Sequence, residues 1–432
     1  MVPEGSSPDN IRIAGFLHLE SSFPVPLTTS ISRSPLTARR IRAHGILLGV
    51  VIWTIYLGTL ATPTLRDRNG FLKGTDFLHF YTLGTLALEH RGADLYNMTA
   101  QPAVAAERVP EAGYLLYVPL YGPQVSLLFA PLAKFSYSVA LCLWLTINAL
   151  LYAICCYAIW RTCTHLQSAG GTVAILAVAY PAFIHVLAWG QTSALALACF
   201  TAAYLALRSQ NMFLAGIAIG CLVFKPQLGI VVGAVFLMTM EWKVIVGALA
   251  AASAQLAVGW SYYGSATMQN YFHHVIHVRQ IFPLLEPRPY QMHSLRSFWA
   301  MLVPWGNVAF GLYVVSGLAV LWLTVRYWKT RAPLSLRFSA VLIATVLVAP
   351  HLTVYDLVIL APAFLLISDW STANWEDSAM HAVGLLLYLC YVLALIGPLS
   401  HWTHFQISIP VLLALLWLVG RRSLREHVAQ SG

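Results

Sequence analysis

The chain is poor in charge. Only 9% of its 432 residues are charged, whereas 59% are hydrophobic. Soluble domains average about 25% charged and about 45–50% apolar residues, so the composition excludes a water-soluble enzyme. The formal net charge of +9 does not indicate a nucleic-acid partner, because basic residues also gather at the cytoplasmic ends of membrane helices. We therefore predict an all-α integral membrane protein that is surrounded by membrane lipids and binds no nucleic acid.

Several catalytic and metal-binding motifs are absent. The seven cysteines include no CxxC pair, which argues against a disulfide framework and a zinc site. The sequence has no Walker lysine loop, HExxH or GxSxG, and no GxGxxG that opens a helix after a strand, so nucleotide hydrolysis and hydride transfer lose their main support. His273, His274 and His277 have no acidic or cysteine companion nearby, and surface histidines are the better interpretation. No metal or other cofactor is expected.

Long apolar runs fill residues 44–420. Because a membrane-spanning helix needs about 20 apolar residues, these runs leave room for about twelve transmembrane helices. The predicted spans lie near residues 44–62, 136–160, 172–189, 192–208, 212–224, 227–240, 244–262, 308–327, 336–350, 353–368, 383–398 and 405–420. Residues 119–133 fit a re-entrant helix or a thirteenth span, and the twelve-span arrangement favours the re-entrant helix. Several spans of 13 to 16 residues are typical of helices broken around a cavity.

The polar segments predict the orientation. Residues 1–43 are polar, end in several arginines and form a predicted cytoplasmic tail, as do residues 421–432 at the other end. Two outer loops follow from this assignment, at residues 63–118 and 263–298. The chain is thus predicted to cross the inner, cytoplasmic membrane many times, with both termini in the cytoplasm.

The first outer loop contains the pattern of a helix with a candidate base. Its apolar and polar positions predict an amphipathic helix on the membrane surface: Phe77, Phe80, Tyr81 and Leu88 are interleaved with Thr82, Glu89 and His90. Asp76, His79 and Phe80 share one face at spacings of three and four residues. A carboxylate and an imidazole would then point into one cleft. Asp76 is either a general base or a helix cap, and one residue can do both.

Two charged residues lie inside apolar stretches, where an ionisable group costs about 2.5–3.5 kcal/mol or more and is functional by default. Lys225 stands in Phe224-Lys225-Pro226-Gln227. It fits a phosphate site or a snorkelling anchor. Asp356 follows Pro350 and His351. It suits a direct catalytic role, and it equally suits an ion pair or a helix cap. His351 suits a phosphate ligand or a cap.

Two glutamines accompany these charges. Gln191 follows Trp189-Gly190, and Gln227 follows Lys225-Pro226. Their amides can bind sugar hydroxyls or satisfy broken backbone. In the twelve-span arrangement the segments around Gln191, Lys225 and Asp356 all lie at outer helix ends, so one face of the protein would collect them.

The order of these elements resembles glycosyltransferase family 87, membrane enzymes of the GT-C type that include polyprenol-phosphate-mannose-dependent α-1,2-mannosyltransferases. The resemblance covers most of residues 45–370. It rests on Asp76, Gly92-Ala93-Asp94-Leu95-Tyr96-Asn97, Tyr117-Val118-Pro119-Leu120, Ala130-Pro131-Leu132-Ala133, Trp189-Gly190-Gln191, Ala215-Gly216, Lys225-Pro226-Gln227 and the segment from His351 to Asp356.

The resemblance implies a GT-C bundle that transfers a hexose, most naturally mannose, from a polyprenyl-phosphate donor to a glycan or glycolipid acceptor on the outer face of the membrane. Asp76 matches the family's catalytic aspartate and would be the base of an inverting reaction. It lacks an adjacent second acid, which favours a metal-independent reaction. The donor phosphate would meet Lys225, His351 and Arg296.

The remaining candidates would bind substrate. His79, Gln191, Gln227 and Asp356 are expected around the sugar. Tyr81, Tyr96 and Tyr114 either line the sugar site or form an interfacial aromatic belt.

Two other kinds of protein fit part of this pattern. A transporter or lipid flippase would also place a lysine and an aspartate in the membrane domain, but transporters favour short loops and related halves. The other is a non-catalytic membrane subunit of an envelope assembly.

Overall fold

The computed structural model describes residues 37–278, 288–375 and 377–431, and these residues form helices and loops without a β-strand. Two isolated bridges pair Arg66 with Leu72 and Met292 with Thr353. The α-helices are α1 Ala38–Leu60, α2 Thr75–Leu88, α3 Ala100–Arg108, α4 Gln124–Phe129, α5 Tyr137–Trp160, α6 Gly170–Val178, α7 Pro181–Trp189, α8 Ser193–Arg208, α9 Met212–Gly220, α10 Pro226–Met238, α11 Trp242–Ile276, α12 Leu295–Leu302, α13 Gly306–Trp328, α14 Leu334–Val348, α15 Ala361–Ala373, α16 Ser378–Ile396, α17 Ser400–Thr403 and α18 Ser408–Ser431.

Six helices within the described ranges are long and apolar enough to cross a membrane. They are α1, α5, α11, α13, α15 with the 3-10 helix Val354–Leu360 before it, and α16 continued into α17. A seventh candidate is the pair α6 and α7, which bends by 43° at a short break. The prediction of an all-α membrane protein is confirmed.

Five shorter apolar helices occupy the other predicted spans: Ser193–Arg208, Met212–Phe224, Pro226–Met238, Leu334–Val348 and Ser408–Arg421. All twelve predicted segments thus coincide with helical elements. Helices of 10–17 residues are shorter than the 20 or so that a bilayer needs. The count of twelve crossings therefore stays a prediction.

The helix that follows the first span is not amphipathic. Every residue of α2 from Phe77 to Ala87 is buried, because α3, α4 and α5 pack around it. Phe77 lies against Phe129 and Trp144, and Phe80 stacks on Phe129 with ring centroids 4.8 Å apart. The expected helix on the membrane surface is wrong: neighbouring protein covers Thr82 as well as the apolar positions Phe77, Phe80 and Tyr81, and exposure begins at Leu88.

The segment 119–133 contains only the six-residue helix α4 and a 3-10 turn at Leu132–Lys134. This is too short for a continuous helix across the bilayer. The predicted loop 263–298 is partly helical, since α11 continues to Ile276 after a break at Gly264, where φ is 79°. Its residues 279–287 lie outside the described ranges, as do residues 1–36 of the predicted N-terminal tail. The predicted C-terminal tail continues α18 to Ser431.

The helices α9 and α11 pack backbone against backbone. A Cβ atom at Gly216 would collide with the Val244 carbonyl group, and one at Gly247 would collide with the Phe213 carbonyl group. Small residues allow membrane helices to approach this closely. The 3-10 turn Cys221–Phe224 then leads from α9 to Lys225, and Pro226 begins α10. Lys225 thus lies in the connection between α9, which is packed tightly against α11, and α10.

Candidate active site

Asp76 lies in the first turn of α2. Gly74 is the N-cap of that helix, with φ 66°, and it makes no side-chain capping bond. Asp76 is therefore not the cap residue, although its negative charge still suits the positive end of the helix dipole. Its carboxylate Oδ2 accepts a hydrogen bond of 2.6 Å from Nε2 of Gln191, 115 residues further along the chain.

The turn between α7 and α8 holds Gln191 in that position. Gly190 ends α7 with φ 68°, a left-handed conformation that disfavours other residues. A Cβ atom there would come within 2.7 Å of the Phe77 Cβ atom. The Gly190 carbonyl accepts a 2.8 Å hydrogen bond from Trp144. The glycine therefore permits both the turn and the close approach of α7 to the start of α2.

A second polar cluster lies behind this turn. Lys225 Nζ is 2.5 Å from Asp356 Oδ1, and Ser193 joins both residues: it donates to Asp356 at 2.7 Å and accepts from Lys225 at 2.9 Å. The Lys225 and Asp356 side chains are 3% and 1% exposed. The snorkelling anchor is therefore the wrong interpretation of Lys225. Asp356 is both an ion-pair partner and part of a capping box with Thr353.

The two clusters form one electrostatic unit. Burial raises the pKa of Asp76 to about 6. The hydrogen bond from Gln191 and the charge of Lys225 oppose this rise in pKa, the Asp356 carboxylate adds to it, and His351 opposes it. A carboxylate with a pKa close to neutral is suited to proton transfer. The structure thus brings together five of the predicted site residues: Asp76, Gln191, Lys225, His351 and Asp356.

His79 lines a narrow crevice on the next turn of α2 with Tyr96, Tyr121 and Ser126. Its ring lies 5.0 Å from the Tyr117 ring. The side chain is 4% exposed, and neither ring nitrogen has a hydrogen-bond partner. Burial lowers its pKa to about 3, so the imidazole is neutral. A buried polar group without a partner is costly, and this one could bind a ligand hydroxyl.

Two of the predicted tyrosines use their hydroxyl groups inside the protein. Tyr81 donates to the Phe135 carbonyl at 2.8 Å, and Tyr96 donates to the Tyr121 carbonyl at 2.9 Å. Tyr114 is 67% exposed. Of the three, only Tyr96 lines the crevice beside His79.

Arg296 and Gln227 lie in the first turns of two other helices. Arg296 is in the first turn of α12, just after His293, whose backbone N–H donates to the Leu352 carbonyl at 2.9 Å. Arg296 thus belongs to the element beside His351. Gln227 is half-buried in the first turn of α10, two residues after Lys225.

Three contributors to the site were not predicted from the sequence. Ser193 links Lys225 to Asp356, Tyr117 donates its hydroxyl to the Thr75 carbonyl, and Tyr121 borders the His79 crevice. Ser193 lies two residues after Gln191, and Tyr117 begins the motif Tyr117-Val118-Pro119-Leu120. Proximity to those motifs was the available signal. The described part of the chain holds no group of three acidic, histidine or cysteine side chains placed to share a metal ion.

Comparison with known proteins adds a family match. Residues 120–350 match the family model of glycosyltransferase family 87, which covers more than half of the chain. No curated protein and no solved structure matches the chain. The matched segment contains Gln191, Ser193 and Lys225, whereas Asp76, His351 and Asp356 lie outside it.

Proposed function

Because the chain belongs to glycosyltransferase family 87 and is a membrane glycosyltransferase, we propose that it transfers a hexose, in particular mannose, from polyprenyl phosphate to a glycan or glycolipid acceptor. The observation that carries this proposal is that Asp76, held by Gln191 at 2.6 Å, lies within electrostatic range of Lys225 and His351. These residues are far apart in sequence. Sugar transfer from a lipid phosphate needs a carboxylate and cationic groups at one place.

Asp76 is the general base of the proposed reaction. Its raised pKa makes the carboxylate a stronger proton acceptor than an ordinary aspartate. Asp76 takes the proton of the acceptor hydroxyl while the acceptor oxygen forms a bond to the anomeric carbon. The bond from that carbon to the phosphate oxygen breaks, and polyprenyl phosphate leaves with the electron pair. A single displacement of this kind inverts the anomeric centre.

Cationic side chains stabilise the departing phosphate. In the proposal His351 and Arg296 contact it, and the Lys225 ammonium acts from behind the Gln191 turn, where Asp356 and Ser193 hold it. Preorganised charges in a site with little water contribute strongly to such a step. Asp356 thus serves the reaction by fixing Lys225.

The sugar-binding groups are amides and the neutral imidazole. Gln191 already contacts the base, and its position lets it orient a sugar hydroxyl beside Asp76. His79 offers two unpartnered ring nitrogens one helical turn away. We place Tyr96 and Gln227 at the edges of the same subsite. Fixing the sugar close to the base supplies much of the rate enhancement in reactions of this kind.

The proposed setting is the inner membrane, with the Asp76 end of the bundle on the outer face, both termini in the cytoplasm and twelve crossings in a GT-C arrangement. The prenyl chain would lie between the helices near α2 and α12. The reaction is proposed to run without a metal or other cofactor.

The test is transfer by purified protein. Detergent-solubilised protein is incubated with radiolabelled mannosyl polyprenyl phosphate and a panel of mannosides, and products are separated by chromatography. We expect equal amounts of free polyprenyl phosphate and of extended mannoside with an inverted linkage. Nucleotide-linked mannose and glucosyl polyprenyl phosphate serve as matched donors. Transfer from the nucleotide sugar alone would overturn the donor assignment, and lipid movement across vesicles without bond formation would point to a flippase.

A further inference from the structure

A second cavity shares no lining residue with the crevice beside His79. It has a volume of about 410 Å³ and is enclosed by α1, α5, α6, α15 and α16. This volume falls in the range of roughly 300–1,000 Å³ that is typical of small-molecule sites. Its lining includes Ala38 and Ile41 in the first turn of α1, where Ala38 is exposed, and the buried residues Tyr180 and Ala361. We call the exposed side its mouth and the buried side its inner end.

The cavity has the length and polarity of a lipid chain with its interfacial groups. Its lining follows α15 from Ala361 to Thr372, a distance of about 16 Å at 1.5 Å per residue. Apolar side chains such as Phe364 and Leu365 lie near Ala361. Further along the helix the lining includes Ser368, Ser371 and Thr372.

One hydroxyl group in the mouth half lacks a partner. Ser371 is 4% exposed, and its Oγ atom makes no hydrogen bond. The lining tyrosines differ, because Tyr152 donates to Ala177, Tyr180 to Leu357 and Tyr391 to Leu176. Their hydroxyl groups are satisfied by the protein, so the rings present apolar faces to the cavity. A buried hydroxyl without a bond indicates a missing acceptor or donor.

The charge at the mouth favours an anion. Arg39 and Arg42 are exposed on the first turns of α1, next to the lining residues Ala38 and Ile41. The nearby acid, Asp369, accepts backbone hydrogen bonds from His165 and Leu166 at 2.7 and 3.1 Å, so its charge is largely taken up locally. Basic residues at the membrane boundary attract anionic lipids.

From these observations we propose that this cavity binds one acyl chain of an anionic phospholipid. Its phosphate lies beside the arginines of α1, and its ester groups lie at the depth of Ser371. α1 runs about 35 Å from this mouth to the end of the bundle that carries α2, where Lys73 donates to the Thr62 carbonyl at 3.0 Å. The lipid therefore belongs to the leaflet opposite the candidate active site and differs from the sugar donor. The proposal does not depend on the chemistry assigned to Asp76.

A matched pair of glycine variants tests the site. Gly384 lines the cavity, and the nearest atom to a Cβ there belongs to Trp375, at 3.9 Å, so the side chain of Gly384→Leu starts in open space and is expected to fill part of the cavity. Gly311→Leu is the control, because nothing lies within 4 Å of a Cβ at that position on α13. Full-length protein in mild detergent is titrated with phosphatidylglycerol, and bound copies are counted by native mass spectrometry. We expect wild type and Gly311→Leu to keep one tightly held lipid, and Gly384→Leu to bind it at least tenfold more weakly.

Further binding measurements identify the molecule that occupies the cavity. Phosphatidylcholine is expected to bind several-fold more weakly than phosphatidylglycerol, and Arg42→Gln should narrow that difference. Ser371→Ala, a change that leaves the fold intact, should weaken retention of phosphatidylglycerol. Equal lipid binding by the two glycine variants would overturn the proposal. So would the absence of a tightly held lipid in wild type, and so would displacement of the phospholipid by stoichiometric polyprenyl phosphate.

Discussion

The two carboxylates of the candidate site lie in contrasting surroundings. Asp356 is 1% exposed and is bound by an ammonium, a hydroxyl and the capping interaction with Thr353. Asp76 is partly exposed and has one hydrogen bond, from a neutral amide. A carboxylate whose acceptor sites are filled holds structure together, whereas one with open acceptor sites can receive a proton. The difference supports the proposal that Asp76 accepts the proton, while Asp356 holds the Lys225 ammonium in place.

The contrast makes Asp76→Asn the substitution with the largest expected effect on turnover. The amide keeps the size of the side chain but cannot act as a base, so we expect kcat to fall by about 10²–10⁴-fold. Thermal stability should be unchanged or higher, because a partly desolvated charge is removed. Initial rates of mannose transfer and a thermal unfolding curve, measured on the same preparation, check both statements. Near-normal turnover would exclude Asp76 as the base.

Lys225→Met should lower the stability of the protein. Removal of one partner from a buried ion pair leaves an uncompensated charge and costs about 3–5 kcal/mol. We expect a lowered unfolding temperature in detergent. The double variant Lys225→Met with Asp356→Asn removes the stranded charge and should recover part of the loss. If the single variant were as stable as wild type, the ion pair would not have the structural role described above.

The pH dependence should distinguish the two carboxylates. Asp76 must be ionised to accept a proton, and its pKa is about 6. We expect kcat/KM to be level above pH 7 and to fall about tenfold per unit below pH 6. The stability of the protein should change with pH in the opposite direction to the rate. Because folding raises the pKa of Asp76 above 3.8, the free energy of unfolding decreases as pH rises from about 4 to 6. Asp76→Asn should lose that component. A rate profile that is flat from pH 5 to 7 would contradict the assignment.

His79→Phe is expected to have the smallest effect of these changes. The ring nitrogens have no partner in the folded protein, so a phenyl ring should preserve stability while removing a bond to the sugar. We expect KM for the donor or acceptor to rise by about tenfold, the equivalent of one lost hydrogen bond of about 1.4 kcal/mol. Tyr81→Phe is the control, since that hydroxyl binds the Phe135 carbonyl and its loss should alter stability before KM. Unchanged KM in His79→Phe would remove His79 from the sugar site.

The charged residues within apolar stretches are the part of the site that can be predicted from the sequence. A lysine or aspartate within hydrophobic stretches requires a partner, and this reasoning selects both Lys225 and Asp356 from the sequence. The helix positions were also predictable, because apolar runs and their polar interruptions are local properties. The twelve predicted segments therefore coincide with helices.

The pairing of Lys225 with Asp356 and the burial of α2 are harder to predict from the sequence. An ion pair was one open alternative for Asp356, but nothing in the two segments identifies Lys225 as the partner 131 residues away. The periodicity of α2 predicted a surface helix, whereas Thr82 and Thr85 donate to carbonyl groups of their own helix and are thus compatible with burial. Internal bonds of this kind make polar residues equivalent to apolar ones in packing, which hydropathy patterns cannot anticipate.

The glycine contacts between α9 and α11 have a consequence for how substrate enters. Two backbones in direct contact leave no space for either helix to shift, so the 3-10 turn that leads from α9 to Lys225 starts from a fixed position. Admission of a bulky sugar must then displace other parts of the protein.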